Sequence, residues 1–366
     1  MGGRLSLVEP VRSEGFTFPE IRICPKCGHM GPTAADFGFR DCREGDKVVR
    51  RMQSSCRPCR KDASRVSTLK TSSLAKIALP LPPPDAPLVF GISGGKDSTA
   101  MALWAVFESG LPNPMHFCFC DTGHEHPETL AHLDALGKKL GIPITVVRGP
   151  YTFESLAIKK QRFPSMKARF CTEELKVRPM AQWVEAQEFA VDPVIVQGVR
   201  AEESAHRATL PAWEDNSKTR GGIYDCMIWR PLLRWTHAEI FAIHARQGFE
   251  PNPLYKQGMR RVGCWPCILV NKRELRQAFW RYPELLTKLK SMEANVGAAR
   301  VRGLSTYFRS DYVPVRHHDA VDTKTGMTVA TSQAVYDYVM GNDNRLEEFD
   351  ASVEPPTCMS QYGLCG

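Results

Sequence analysis

From residue 88 onward, apolar and polar positions alternate in blocks. The run 88–92, Leu-Val-Phe-Gly-Ile, reads as a buried parallel strand. Residues 98–109, carrying Met101, Trp104 and Phe107, read as the helix that follows it. Residues 115–120 and 144–148 read as two further strands, with a helix over 127–140 between them. A helical pattern over 173–189 and a fourth strand over 194–197 complete the series. Alternation at this spacing predicts an α/β fold with a doubly wound, mostly parallel sheet. Ligands of such sheets bind beyond the carboxyl ends of the strands. The polar segments at those ends are 93–98, 121–123 and 198–203.

Residues 79–87, Leu-Pro-Leu-Pro-Pro-Pro-Asp-Ala-Pro, favour extended polyproline II and read as a semi-rigid linker. The expected organisation is therefore a module at 1–78, the linker at 79–87, a catalytic domain at 88–295 and an extension at 296–366. A chain of 366 residues with 43% hydrophobic and 24% charged content is ordinary for a soluble globular protein. No apolar run approaches the roughly 20 residues that span a bilayer. The first residues lack the apolar core of a secretory leader, so the expected location is the cytoplasm, with no membrane partner. Thirteen cysteines in such a compartment read better as metal ligands or reactive thiols than as disulfides. The net charge of +8 is uneven: residues 1–79 hold fifteen Lys or Arg against eight Asp or Glu. A basic appendage on a nearly neutral enzyme points to DNA or RNA as partner, or to a solubilising surface.

Chemistry concentrates at three places. Ser93-Gly94-Gly95-Lys96-Asp97-Ser98 joins the first strand to its helix. Two glycines permit a tight turn, loop amides and a helix N-terminus attract an anion, and Lys96 adds a point charge. The segment reads as a phosphate cradle, although not a Walker loop. Cys24, Cys27, Cys56 and Cys59 form two CxxC knuckles, and paired knuckles suit a structural zinc ion in a ribbon-like module. Nearby Arg50, Arg51, Arg57 and Arg60, with Phe37 and Phe39, could meet phosphates and bases, or the rings could simply be the module's core. A third CxxC, Cys264 and Cys267, lies in a turn before a helical stretch.

The six-residue loop resembles the PP-loop of the adenine nucleotide alpha-hydrolase superfamily. Further segments resemble its phosphoadenosine phosphosulfate (PAPS) reductase family: Asp121-Thr122-Gly123 with Pro127-Glu128-Thr129, Gly198-Val199-Arg200 through Ser204 with Arg207, Trp229 through Thr236, and Asn252-Pro253-Leu254-Tyr255. The resemblance implies ATP, or PAPS, with Mg2+, held by Ser93, Gly94, Gly95, Lys96, Asp97 and Ser98 and assisted by Asp121, Gly198, Arg200 and Arg207. Lys96, Asp97, Asp121 and Arg200 would then be the catalytic set. Asp121 could instead be a helix cap, and the arginines could pair with Glu202 or Glu203. The intact lysine loop resembles the ATP pyrophosphatase branch more than the reductases. The tail, with Cys358 and Cys365, lacks the reductases' Glu-Cys-Gly.

Cys171 aligns with a segment that supplies cluster cysteines in iron–sulfur members. With Cys264, Cys267 and Cys358 or Cys365 it would hold a [4Fe–4S] cluster; a zinc ion or uncoordinated thiols are the alternatives. Cys118 and Cys120 alternate on a strand and read as core. The expected function is ATP-dependent adenylation, releasing AMP and pyrophosphate, coupled to sulfur transfer onto nucleic acid with a sulfur donor or reductant. A sulfonucleotide reductase making sulfite and a non-catalytic nucleotide-sensing subunit are the other readings.

Overall fold

The structure, a computed structural model, describes residues 80–218, 225–301 and 303–341, together with the backbone of four strands nearer the N-terminus. The zinc ligands expected at Cys24, Cys27, Cys56 and Cys59 and the tail cysteines Cys358 and Cys365 lie outside the described residues. The chain divides into two compact units, Met1–Thr71 and Ser72–Gly366. In the first, β1 (Ile21–Ile23) pairs antiparallel with β2 (Met30–Pro32), and β3 (Phe39–Glu44) pairs antiparallel with β4 (Lys47–Met52).

The second unit is built on a six-stranded sheet. Its strands are β5 (Leu88–Ile92), β6 (Met115–Cys120), β7 (Ile144–Val147), β8 (Val194–Val196), β9 (Trp213–Asp215) and β10 (Met227–Trp229), in spatial order β7-β6-β5-β8-β10-β9. All pairs are parallel except β9 with β10. The chain leaves β5 toward β6 and β7, then returns to place β8 on the other side of β5. The boundary between β5 and β8 is thus the switch point where such sheets open a crevice.

Alternate side chains of the strands feed two cores. Leu88, Phe90, Phe117, Phe119, Val194 and Val196 face a cluster shared with α1 (Lys96–Phe107), α2 (Pro127–Leu140) and α5 (His237–Arg246). Val89, Cys118, Cys120, Val147, Ile195 and Ile228 pack on the opposite side with Met180 of α4 (Arg178–Glu185). Both faces are covered, which is why β5 is apolar at every position and why Cys118 and Cys120 are core residues. α1 starts at Lys96 rather than 98, and its residues Asp97 through Ala105 are all buried.

The helix expected over 173–189 is shorter and less regular. Phe170–Thr172 makes one α turn, Glu173–Val177 a wider π turn, and α4 then ends at Glu185. π turns interrupt a helix at modest cost and recur at functional sites. A third core joins α3 (Phe153–Lys160), α6 (Lys272–Arg281), α7 (Glu284–Ala298) and α8 (Ser332–Met340) through Leu156, Leu275, Phe279, Leu289 and Val335. The boundary expected at residue 295 falls inside α7, and α8 packs on the same core. Among the described residues no helix is long and apolar enough to cross a membrane.

Candidate active site

The turn after β5 closes on itself. The Ser93 amide donates to Ser98 Oγ (3.1 Å), the Gly95 amide donates to Ser93 Oγ (3.3 Å), and Ser98 Oγ donates to the Gly95 carbonyl (3.1 Å). Gly94 has φ of 74°, and a Cβ there would stand 2.7 Å from Thr129 Cγ2. Glycine is required on both counts. Gly95 is the N-cap of α1 and has no side chain to satisfy the first amides, so the helix presents its positive end at the switch point.

Residues far along the chain hold the turn from behind. Asn252 Nδ2 donates to the Gly94 carbonyl at 3.2 Å, and His244 Nε2 stands 2.9 Å from the Lys96 carbonyl. The Lys96 amide donates to the Tyr255 hydroxyl at 2.9 Å. With carbonyls held by Asn252 and His244, the remaining amides of the turn can face a ligand. Sequence alone does not mark His244 and Asn252 as loop supports. Asn252 and Tyr255 stand in the Asn-Pro-Leu-Tyr segment, which is the available signal.

Lys96, Asp97 and Arg200 form a buried triad. Asp97 accepts from Lys96 Nζ at 2.7 Å and from Arg200 Nε at 2.5 Å, and the Asp97 and Arg200 side chains are almost fully enclosed. Burial would raise the Asp97 pKa, but the charges of Lys96 and Arg200 outweigh it and hold the carboxylate below its usual range. Arg200 also donates to Glu202 at 3.0 Å, and Arg207 is ion-paired with Glu203. Both arginines thus have the carboxylate partners that the sequence allowed; the guanidinium groups are buried, while Glu202 is half exposed. Gly198 allows the approach of this segment: a Cβ there would lie 3.1 Å from Ser98 Cα. Lys96, Asp97 and Arg200 alone sum to +1, and Glu202 is the carboxylate that balances that charge.

At the end of β6, Asp121 pairs with Arg148 (2.8 Å) and accepts from the Gly123 amide (2.9 Å). Glu125, missed in the sequence, accepts from the Thr122 amide and hydroxyl, the latter at 2.6 Å. Burial pushes the Glu125 pKa up, whereas for Asp121 the Gly123 amide, Glu125 and Arg148 overcome burial and lower it. Two neighbouring carboxyls are therefore held in opposite directions.

Cys171, Cys264 and Cys267 line one cavity of about 80 Å³, room for several waters, together with Thr122, Arg169 and Lys176. Thr122 Oγ1 lies 4.0 Å from Cys264 Sγ, which ties the cavity to the end of β6. The Leu269 amide donates to Cys267 Sγ at 3.4 Å. Three thiols around one cavity are the donor type of an iron–sulfur or zinc site. Even so, among the described residues no group of three or more His, Cys, Asp or Glu is arranged to hold a metal ion. The fourth ligand expected from the tail, Cys358 or Cys365, lies outside the described residues.

The sequence model of the phosphoadenosine phosphosulfate reductase domain matches residues 87–270, half of the chain and all of the sheet. The chain belongs to this family. An "uncharacterized 37.8 kDa protein" of Escherichia phage 186 is 35% identical over 285 residues, covering 65% of this chain and 83% of the phage protein. The adenosine 5'-phosphosulfate reductase of Chelativorans sp. is 29% identical over 180 residues, covering 48% of this chain. This PAPS reductase family member spans 66% of the length of that reductase, and 41% and 45% of two Methanocaldococcus jannaschii relatives. Among solved structures, the phosphate complex of PAPS reductase from Candida auris is similar at 16% identity and a TM-score of 0.37, covering 57% of this chain and 88% of that one.

Proposed function

We propose that the protein uses ATP to activate an acceptor as an adenylate, releasing pyrophosphate, and that sulfur from a donor then displaces AMP. The single observation that supports this most is the complete Ser-Gly-Gly-Lys-Asp-Ser turn, set at the switch point with Lys96 and Arg200 beside it. A triphosphate presents a row of anionic groups to such a turn. The acceptor oxygen would attack the α-phosphorus while pyrophosphate leaves, and Lys96 and Arg200 would meet the charge that develops there. Mg2+ would accompany the nucleotide. Cys171, Cys264 and Cys267 would provide thiol chemistry beside the activated acceptor, for which nucleic acid is the class proposed.

A second reading, reduction of a sulfonucleotide to sulfite, is favoured by the name of the Chelativorans relative. One experiment separates the two. The full chain is incubated with ATP, Mg2+, sulfide as sulfur donor and mixed nucleic acid, and in parallel with adenosine phosphosulfate or PAPS and a dithiol. AMP and pyrophosphate in equal amounts, with negligible sulfite, support adenylation. Sulfite without pyrophosphate would replace it with the reductase.

A further inference from the structure

The two segments that wall the cysteine cavity are far more basic than the protein as a whole. Residues 159–178 hold seven Lys or Arg against two Glu, and residues 256–281 hold seven against one. Their combined charge is +11, against +8 for the entire chain, so the rest of the protein is net acidic. The expectation of a nearly neutral catalytic domain averaged over this segregation. Folding brings the two segments together around one cavity, with Arg169 and Lys176 from the first and Arg261 from the second.

Away from the cavity the same segments carry exposed cations, Lys159, Arg162 and Lys167 on one and Arg260, Arg273 and Arg276 on the other. Aromatic rings stand among them. Phe170 lies 5.7 Å from the Arg162 guanidinium and 6.0 Å from Lys160 Nζ. Trp280, 64% exposed, has the Arg281 guanidinium 5.0 Å from its ring. A large exposed ring beside a guanidinium is a surface on which a base stacks, and dispersed cations around it follow a phosphate backbone.

We infer that the catalytic unit carries its own single-stranded nucleic-acid surface, formed by residues 159–178 and 256–281, which delivers the acceptor to the cysteine cavity. This rests on the reading of the cavity as the place where an acceptor is modified. An acidic protein would also be drawn by the charge, but it would not need the stacking ring. The basic N-terminal module is then an accessory to binding, not its seat.

The test uses the full chain and a fluorescein-labelled single-stranded oligonucleotide of about 30 nucleotides, followed by anisotropy without ATP over a series of salt concentrations. The triple variant Lys167→Ala, Arg273→Ala, Arg276→Ala should bind roughly tenfold or more weakly. Its salt slope should fall by about two, at about 0.7 for each phosphate that is no longer neutralised. Trp280→Ala should weaken single-stranded binding by roughly fivefold or more and duplex binding much less. The conservative triple Lys167→Arg, Arg273→Lys, Arg276→Lys should bind like wild type, which separates loss of charge from loss of fold. A module variant, Arg50→Ala, Arg51→Ala, Arg57→Ala, should keep most of the affinity. Wild-type affinity and slope in the first triple overturn the proposal, as does loss confined to the module variant. Unchanged oligonucleotide binding with weakened binding of an acidic redox carrier would overturn it in favour of a protein partner. Because binding is read without ATP, an adenylation reaction that fails leaves this surface untouched, and the converse also holds.

Discussion

The phosphate turn is made of six consecutive residues tied together by Ser93 and Ser98, whereas the cysteine cavity takes Cys171 from one segment and Cys264 and Cys267 from another. The first is placed by the sheet: β5 and α1 are buried on all sides, and a ligand arriving there meets a preformed charge pattern. The second is placed by the helices behind it, through a core that α7 and α8 complete. The turn is shaped by local bonds and braced by Asn252, His244 and Tyr255 from far along the chain, whereas the cavity is assembled entirely by distant packing.

The two regions should respond differently to perturbation. The largest effect is expected from Asp97→Ala, which leaves the enclosed Arg200 guanidinium without its closest partner. Removing one member of a buried pair costs about 3–5 kcal/mol, to be read from urea unfolding. Pyrophosphate should restore part of the loss, because an anion at the turn replaces the carboxylate; equal stability of variant and wild type would dissolve the triad. Gly94→Ala comes next. Its positive φ and the clash with Thr129 should cost about 2 kcal/mol and remove ATP binding measured by calorimetry.

Acid should weaken both regions through one histidine each. Burial lowers the pKa of His124, stacked on Phe153 and bonded to Tyr307 behind the cavity, to about 3. Burial, with a smaller contribution from His244, lowers that of His132, beside Thr99 in α1, to about 4. Both are neutral when folded, and the unfolded chain takes up their protons below about pH 6.5. Their contribution is thus fully favourable above that pH and declines as pH falls toward the folded values. The decline is about 1.4 kcal/mol per pH unit for each histidine. His124→Gln should reduce the slope between about pH 6 and pH 5 by roughly 1 kcal/mol per pH unit; an unchanged slope would show that His124 titrates normally. The smallest effect is expected from Cys264→Ser. It should remove one alkylatable thiol by mass spectrometry and change ATP affinity by less than about 0.5 kcal/mol. A large loss of ATP binding would mean that turn and cavity are one site.

What the sequence revealed follows the same division. A strand apolar at every position, 88–92, and one apolar at all but His116, 115–120, announce a sheet covered on both faces, and consecutive glycines with a lysine announce the turn. Trp213–Asp215 escaped notice because a three-residue edge strand with two carboxylates carries no period. The π turn at Glu173–Val177 preserves the apolar spacing of a helix closely enough to be read as one. His244 and Asn252 act on the turn only through folding, since nothing local marks a histidine in an amphipathic helix as a support. The basic walls of the cavity were visible as charges, but not as neighbours until the fold brought them together.

The central claim is that the turn is a triphosphate site, and calorimetric titration of ATP with Mg2+ against adenosine phosphosulfate, on wild type and Lys96→Ala, tests it most directly. ATP should bind more tightly than the sulfonucleotide to wild type. Lys96→Ala should weaken ATP roughly tenfold or more, as removal of a charge-assisted hydrogen bond of about 1.5–3 kcal/mol requires, while affecting the shorter ligand less. Tighter binding of the sulfonucleotide, with ATP affinity unchanged by the substitution, would contradict the claim.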